Sequence, residues 1–448
     1  MRRSDPERLI RRTGRVFAVI AALCAPPAGA AEPAPFTVAP GLFDPTAPDT
    51  LGLEPAPGIE TATIFRGTIE RAGPGGAYNH GVVLLPFRGR LYAQWQSSAR
   101  DEDAPDTAVL YAHSPDGMNW SQPKVLARSS DGVRRSNGGW WTDGETLAAY
   151  IVDWAESGDE RRAGVTHYRL SENGNDWMPA KPVLDRHGAP VDGIIEQDPH
   201  RLPGGRVVSA FHENPGLRLA PWYTDDTLAI SGWSRGRMPN LPYAGADTSR
   251  EIEPSWYLRS DGAIVMVMRD QASSFRTLAA LSRDHGVSWT APVKTGMPDS
   301  RSKQSAGNLP DGTAYLVGNP TGNRRRHPLA IALSRDGFFF DRAWLLRAGG
   351  DHVPRLRHPG RFKRSGYSYP KSVIWNDWLY VAYATNKEDA ELSRIPLQSL
   401  ITQRRPVETG VDGRGLGHLF QDSLRAGVGP LNAQARRHVI EDHPVLGS

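Results

Sequence analysis

An all-β chain made of short strands repeated around an axis, a β-propeller, is the fold class this sequence predicts. Three observations carry the expectation. The first is the turn Ser282-Arg283-Asp284-His285-Gly286-Val287-Ser288-Trp289, which reads S-x-D-x-G-x-x-W. In such a turn Asp284 accepts backbone N–H groups of its own loop, Gly286 supplies a φ > 0 position and Trp289 packs beneath. The second is repetition: Ser114-Pro115-Asp116-Gly117-Met118-Asn119-Trp120, Ser171-Glu172-Asn173-Gly174-Asn175-Asp176-Trp177 and Ser334-Arg335-Asp336-Gly337 are degenerate copies, each after an alternating apolar run. The third is composition, with 46 Gly, 37 Pro and 13 Trp in 448 residues and no long helical period in the middle of the chain.

The spacing counts the blades. Serines 114, 171, 282 and 334 are separated by 57, 111 and 52 residues, so the middle gap holds two periods. Tyr223-Thr224-Asp225-Asp226, followed by Trp233, fills the vacancy. Each unit opens with a polar residue entering a strand, then a tight turn such as Leu202-Pro203-Gly204-Gly205, Leu309-Pro310-Asp311-Gly312 or Trp375-Asn376-Asp377. Six units fit between about residues 78 and 397, and a seventh would have to be assembled from the two termini. Radial repetition lets one propeller domain, expected over 61–400, reach this size.

The flanks read differently. Arginines 2, 3, 8, 11, 12 and 15 precede the apolar residues 16–23, and Ala28-Gly29-Ala30 offers a small-residue cleavage site, so residues 1–30 are expected to be a signal peptide of a periplasmic or secreted protein. The apolar run is too short to span a bilayer. Residues 31–60, rich in Pro and Ala, are expected to form a loose arm, and 401–448 a C-terminal extension closing or covering the propeller. Cys24, the only cysteine, lies in the leader, so the mature fold relies on packing and not on disulfides. The net charge of +4 also belongs to the leader, whose six arginines face only Asp5 and Glu7. The remainder is near neutral, which gives a nucleic-acid partner no support. No metal-ligand spacing, phosphate loop or Ser–His–Asp pattern is present, so no cofactor is expected.

Chemistry is expected where the innermost strands begin, because those entries converge on one channel mouth. They read Tyr78-Asn79-His80, Arg134-Arg135, Glu196-Gln197-Asp198, Arg250-Glu251-Ile252-Glu253, Lys303-Gln304 and Tyr367-Ser368-Tyr369-Pro370-Lys371. Polar residues at the head of buried strands put local pattern and burial in conflict, which marks functional sites. His80 and Tyr369, with His212, are the candidate proton-transfer groups. Asn79, Arg135, Gln197, Glu253, Arg269, Lys303, Gln304, Tyr367 and Lys371 are the candidate substrate contacts. Tyr367 and Tyr369 alternate on one strand and are expected to share a face. Arg324-Arg325-Arg326 reads as a solvated loop, and Trp140-Trp141 as packing. This mix of cations, carboxylates and phenols suits an acidic, hydroxyl-rich ligand.

From about residue 78 to 400 the chain resembles the sialidase-like BNR/Asp-box propeller superfamily. Sialidases clamp a carboxylate with three arginines, the first in an F/Y-R-I-P motif on the first inner strand. Here that place reads Tyr78-Asn79-His80-Gly81, and Tyr369-Pro370-Lys371 stands where the third arginine is expected. A histidine in the first inner strand instead resembles propeller polysaccharide lyases such as ulvan and rhamnose–glucuronate lyases. That resemblance implies β-elimination next to a uronic acid: a cation neutralises the C5 carboxylate, and His80 and Tyr369 move the protons. A superfamily hydrolase, an exo-sialidase or a rhamnosidase, is the alternative. A non-catalytic glycan-binding propeller is the third reading, since fold does not fix function, and on every reading the chain is expected to be a monomer.

Overall fold

The computed structural model describes residues 33–70, 75–130, 132–155, 163–243 and 248–401. The expected signal peptide and C-terminal extension lie outside the described residues. Six antiparallel blades make up the described chain. Blade 1 is Tyr78–Phe87, Arg90–Ser98, Ala108–Ser114 and Lys124–Ala127. Blade 2 is Val133–Thr142, Leu147–Ala155, Gly164–Ser171 and Lys181–Pro182. Blade 3 has a divided inner strand, Gly193–Ile195 and His200–Arg201, followed by Val207–Glu213, Arg218–Thr224 and Ser234–Arg235. Blade 4 is Glu251–Leu258, Ile264–Asp270, Arg276–Ser282 and Val293–Pro298. Blade 5 is Ser305–Asn308, Ala314–Gly318, Leu329–Ser334 and Arg342–Arg347. Blade 6 takes Tyr367–Trp375, Trp378–Thr385 and Asp389–Pro396 from the end of the described chain and its outer strand, Glu60–Phe65, from the beginning.

That borrowed strand settles the blade count. Glu60 to Ala62 pair antiparallel with Arg394 to Leu392, so the two ends of the ring complete a sixth blade and do not build a seventh. It also explains why box turns occur in five blades: the box joins a third strand to a fourth, and in blade 6 no such link exists. The expected box chemistry is present. Asp116 accepts the amides of Met118 and Asn119 at 2.9 and 2.8 Å, and Asp284 accepts that of Ser288 at 2.8 Å. In the degenerate blade 3 turn Asp226 does this work, taking the amides of Ile230 and Ser231 at 3.1 and 3.0 Å, while Trp233 Nε1 donates to Ala229 O at 2.9 Å. Glycine is required at Gly174, with φ +72°, because a Cβ there would lie 2.1 Å from the Tyr92 hydroxyl of blade 1.

The core is a ring. Each of six buried apolar clusters occupies a seam between neighbouring blades, as where Trp95 and Leu110 of blade 1 meet Tyr380 and Leu392 of blade 6. Residues expected as a loose arm are instead fixed to this ring. Phe36 is buried against Tyr257 and Phe340, and Thr37–Val38 pairs parallel with Phe339–Phe340. Proline-rich composition hid this, because the anchors are single apolar side chains without a period. Trp140 is packing, as expected: it is buried in the seam of blades 1 and 2 and stacks on Trp177 at 5.9 Å. No helix among the described residues is long and apolar enough to cross a membrane.

Candidate active site at the channel mouth

Four inner strands carry a bulge near the mouth, between His80 and Val83, Asn137 and Gly139, Ile252 and Ser255, and Ser368 and Lys371. A bulge interrupts the two-residue alternation and re-aims a side chain. In each, one residue adopts the left-handed region: Gly81 (φ 67°), Gly139 (φ 94°), Glu253 (φ 56°) and Tyr369 (φ 56°). Glycine takes this conformation freely, whereas for a glutamate or a tyrosine it costs about 1–3 kcal/mol.

These two strained residues meet. The Tyr369 hydroxyl donates a short hydrogen bond to Glu253 Oε1. Arg269 Nη1 donates to Tyr369 Oη at 2.9 Å and to both Glu253 oxygens at 3.2 and 3.0 Å. Burial alone would raise the Glu253 carboxyl, but Arg269 and Lys303 overcome it and hold it below its ordinary value. Burial and the Glu253 charge push the Tyr369 phenol well above its ordinary value, so it rests protonated. The His80 ring lies 4.3 Å from the Tyr369 ring, centroid to centroid. It is fully buried, neither ring nitrogen has a hydrogen-bond partner, and burial with nearby Lys387 and Arg326 pushes its pKa well below the ordinary value. His80 is therefore neutral.

His80, Glu253, Arg269 and Tyr369 line a cavity of about 1030 Å³. Arg301, Arg326 and Arg364 line it too, and none has a carboxylate partner among the described residues. Arg326 is buried, its guanidinium donates to Ser368 Oγ at 3.0 Å and lies 5.1 Å above the Tyr369 ring. Burial lowers the pKa of Arg301 and Arg364, as does repulsion from neighbouring arginines, Arg269 and Arg324 for the first and Arg326, Arg269, Arg301 and Arg324 for the second. Three guanidiniums around one cavity, without a carboxylate partner among the described residues, have the chemistry to take an anion. In the same cavity Lys387 pairs with Glu102, and burial, with repulsion from Arg326 and Arg364, pulls its ammonium down to about 8.

The expected residues separate into three groups. His80, Arg135, Gln197, His212, Glu253, Arg269 and Tyr369 line the cavity. His212 Nδ1 lies 3.1 Å from Glu196 Oε1, and Gln197 Oε1 accepts from Lys303 at 3.2 Å. Arg135 holds Asp153 at 2.9 Å and also borders a second cavity of about 600 Å³ between blades 1 and 2. Lys303 and Lys371 form a buried ionic floor: Lys303 pairs with Glu196, and Lys371 with Asp198 at 3.0 Å. Burial alone would raise Glu196 and Asp198, yet these ammoniums hold both carboxylates low.

The third group is corrected by the structure. Asn79 donates to Gly76 O and Glu388 O at 3.0 and 2.7 Å and accepts Trp95 Nε1 at 2.9 Å, so its amide is spent inside the scaffold. Gln304 turns into the seam of blades 4 and 5 and donates to Thr277 Oγ1 at 2.8 Å. Tyr367 does not share a face with Tyr369, because the bulge intervenes; it is buried in the seam of blades 5 and 6 and its hydroxyl donates to Ala348 O at 3.1 Å. Arg326, expected in a solvated loop, is buried in the site. Sequence reasoning also missed Glu102, Arg301, Arg364 and Lys387, which come from loops where no periodicity reports direction.

The BNR repeat-like domain profile matches residues 89–381. No curated protein matches the chain. Among solved structures, a sialidase aligns at 20% identity and TM-score 0.51 over 81% of this chain, which spans only 35% of that longer protein. A protein of unknown function from Dyadobacter fermentans aligns at 16% identity and TM-score 0.56, covering 75% of this chain and 99% of its own. The leech intramolecular trans-sialidase, complexed with 2,7-anhydro-Neu5Ac, aligns at 13% identity and TM-score 0.56, covering 76% and 71%. With more than half of its length inside that profile and its blades arranged like those of these neighbours, the chain belongs to the BNR repeat-like domain family and is a six-bladed, sialidase-like β-propeller.

Proposed function

We propose that this chain is an exported glycoside hydrolase that cleaves an acidic sugar at the channel mouth, with Tyr369 as nucleophile and Glu253 as its base. The observation that carries the reading is the Tyr369–Glu253–Arg269 cluster on two left-handed backbones. A nucleophile within hydrogen-bond reach of a base that a third group orients is the signature of covalent catalysis, and tyrosine serves this role in sialidases. The choice of phenol over carboxylate has a physical reason. An anionic sugar repels a carboxylate nucleophile, whereas a neutral phenol approaches without charge and passes its proton to the carboxylate behind it. The Tyr369 oxygen bonds the anomeric carbon as the bond to the leaving oxygen breaks. The Lys387–Glu102 pair supplies the proton that the leaving oxygen takes. Water then releases the sugar with net retention. Arg301, Arg326 and Arg364 hold the substrate's anionic group.

His80 favours a second reading, uronate β-elimination. Its neutral, unpartnered imidazole against a protonated phenol is an acid–base pair whose environments push the two pKa values apart. Products separate the readings. Incubation with sialic-acid and glucuronate glycans should release sugar of retained configuration, and an activated fluorinated acidic sugar should label Tyr369. Ultraviolet absorbance from an unsaturated uronate, without labelling, would establish elimination instead. Tight binding with neither would leave a glycan-binding propeller. The leader motivates the exported location, periplasmic or secreted, and finding the protein in neither the periplasmic fraction nor the medium would refute it.

A further inference from the structure

Phe362 sits in the loop between blades 5 and 6, and we infer that it is an aromatic platform for the sugar ring next to the anionic one. The inference rests on the acidic-glycan reading above and adds a neighbouring subsite. Among the described residues it is the one large, exposed hydrophobic side chain that lines the mouth cavity, at 56% exposure. An isolated exposed phenylalanine is unremarkable on a surface. The way the chain holds this one is different.

Both neighbours are fastened. The Arg361 amide donates to Asp101 Oδ1 at 2.7 Å, its guanidinium donates to the carbonyls of Glu102 and Asp103 at 3.0 and 2.9 Å, and its own carbonyl accepts the Glu102 amide at 3.3 Å. The Lys363 side chain is buried, and its ammonium donates to Ala77 O at 2.8 Å and His358 O at 2.7 Å. Arg100 Nε returns a bond to Pro359 O at 2.7 Å. Pinned on both sides to blade 1, Phe362 is held at φ 58°. For a residue with an aromatic Cβ substituent this conformation is a genuine outlier, and glycine or asparagine would occupy it at less cost. An aromatic ring thus stands exposed over a cationic cavity at a position where it lowers stability and buries little.

A pyranose suits the vacancy. Its axial C–H face is apolar and packs on an aromatic face, while its hydroxyls stay in water. The anionic sugar would sit among Arg301, Arg326 and Arg364, and the next ring would lie on Phe362.

The test compares glucuronic acid with a glucuronate-terminated disaccharide in calorimetry, using the full chain and its Phe362→Ala and Phe362→Asn variants. Half-burial of a phenylalanine ring corresponds to about tenfold in affinity. Both variants should therefore weaken the disaccharide about tenfold and the monosaccharide less than about twofold, and Phe362→Asn should melt at or above the wild-type temperature. Equal weakening of both sugars, or unchanged disaccharide affinity, would overturn the platform. So would a fall in melting temperature with binding intact, which would make Phe362 a packing residue. If the wild type bound neither sugar, nor the sialylated counterparts, the acidic-glycan reading itself would fall.

Discussion

Glu253 and Tyr369 lie 116 positions apart in sequence, share the same left-handed backbone at φ 56°, and close a short hydrogen bond between blades 4 and 6. Two independent strained backbones that converge on one contact indicate a constraint from chemistry, since the fold itself tolerates glycine at the matching bulges of blades 1 and 2.

Tyr369→Phe should therefore lower kcat by about three orders of magnitude or more. Its melting temperature should stay close to wild type. Glu253→Gln should lose activity on the same scale. Tyr369→Asn, which suits the left-handed backbone, should be inactive yet no less stable. Steady-state kinetics and calorimetry on the same preparations check this, and a large loss of stability without loss of turnover would contradict it.

His80→Ala ranks the two chemistries. Neither ring nitrogen of His80 has a partner, so its removal strands no hydrogen bond. Under hydrolysis by Tyr369, kcat should fall by less than about tenfold, well short of the 10²–10⁴ expected of a positioned proton-transfer group. A fall in that upper range would move the assignment to elimination.

The pH profile should report Lys387. Its ammonium, pulled down by burial to about 8, donates a proton only below that value. The alkaline limb of kcat/KM should thus fall near pH 8 and disappear in Lys387→Met, whose residual activity stays flat across that range.

Anion capture should show in KM. Arg326→Met removes a buried guanidinium that has no carboxylate partner among the described residues. KM for an acidic substrate should rise by about 10- to 100-fold, equivalent to about 1.4–2.8 kcal/mol, with kcat far less affected. Substrates with the carboxylate esterified should not distinguish the variant from wild type.

Asp299, whose Oδ2 accepts the Arg301 amide at 3.0 Å, governs a stability effect. Burial raises its carboxyl to about 7, and Oδ1 lacks a partner. Because the folded value exceeds the unfolded value of about 3.9, the native state holds a proton that the unfolded chain has released between these values, and stability falls as pH rises from about 4 to 7. Asp299→Asn removes this dependence. It should leave stability near pH 4 almost unchanged and raise it above pH 7, by at most about 4 kcal/mol. Denaturant melts at several pH values measure it, and parallel curves would refute it.

What the sequence made legible was local. A box turn holds its Ser, Asp, Gly and Trp within eight residues, so its chemistry and its repetition are visible without a structure. His80, Glu253 and Tyr369 were reachable because strand entries converge in any propeller, and Arg269 because it stands at the end of a second strand beside a loop. Tyr367, Asn79 and Gln304 misled for one reason: strict alternation assigns a face, and a bulge or a strand end shifts it. Arg326 and Phe362 were beyond pattern. Their positions follow from loops pinned across the ring by contacts as distant as Arg361 with Asp101, which no window along the chain contains.

The ring closure at Glu60–Phe65 has a bearing on when this site exists. A ribosome makes that strand early, and its partner Asp389–Pro396 comes more than 300 residues later. His80 touches Tyr369, and Glu102 holds Lys387, across the same closing seam. A nascent chain that has not reached Tyr369 cannot form the first pair, and one that has not reached Lys387 cannot form the second. On the proposed chemistry a product cut short before Tyr369 should therefore be inert and not merely weak.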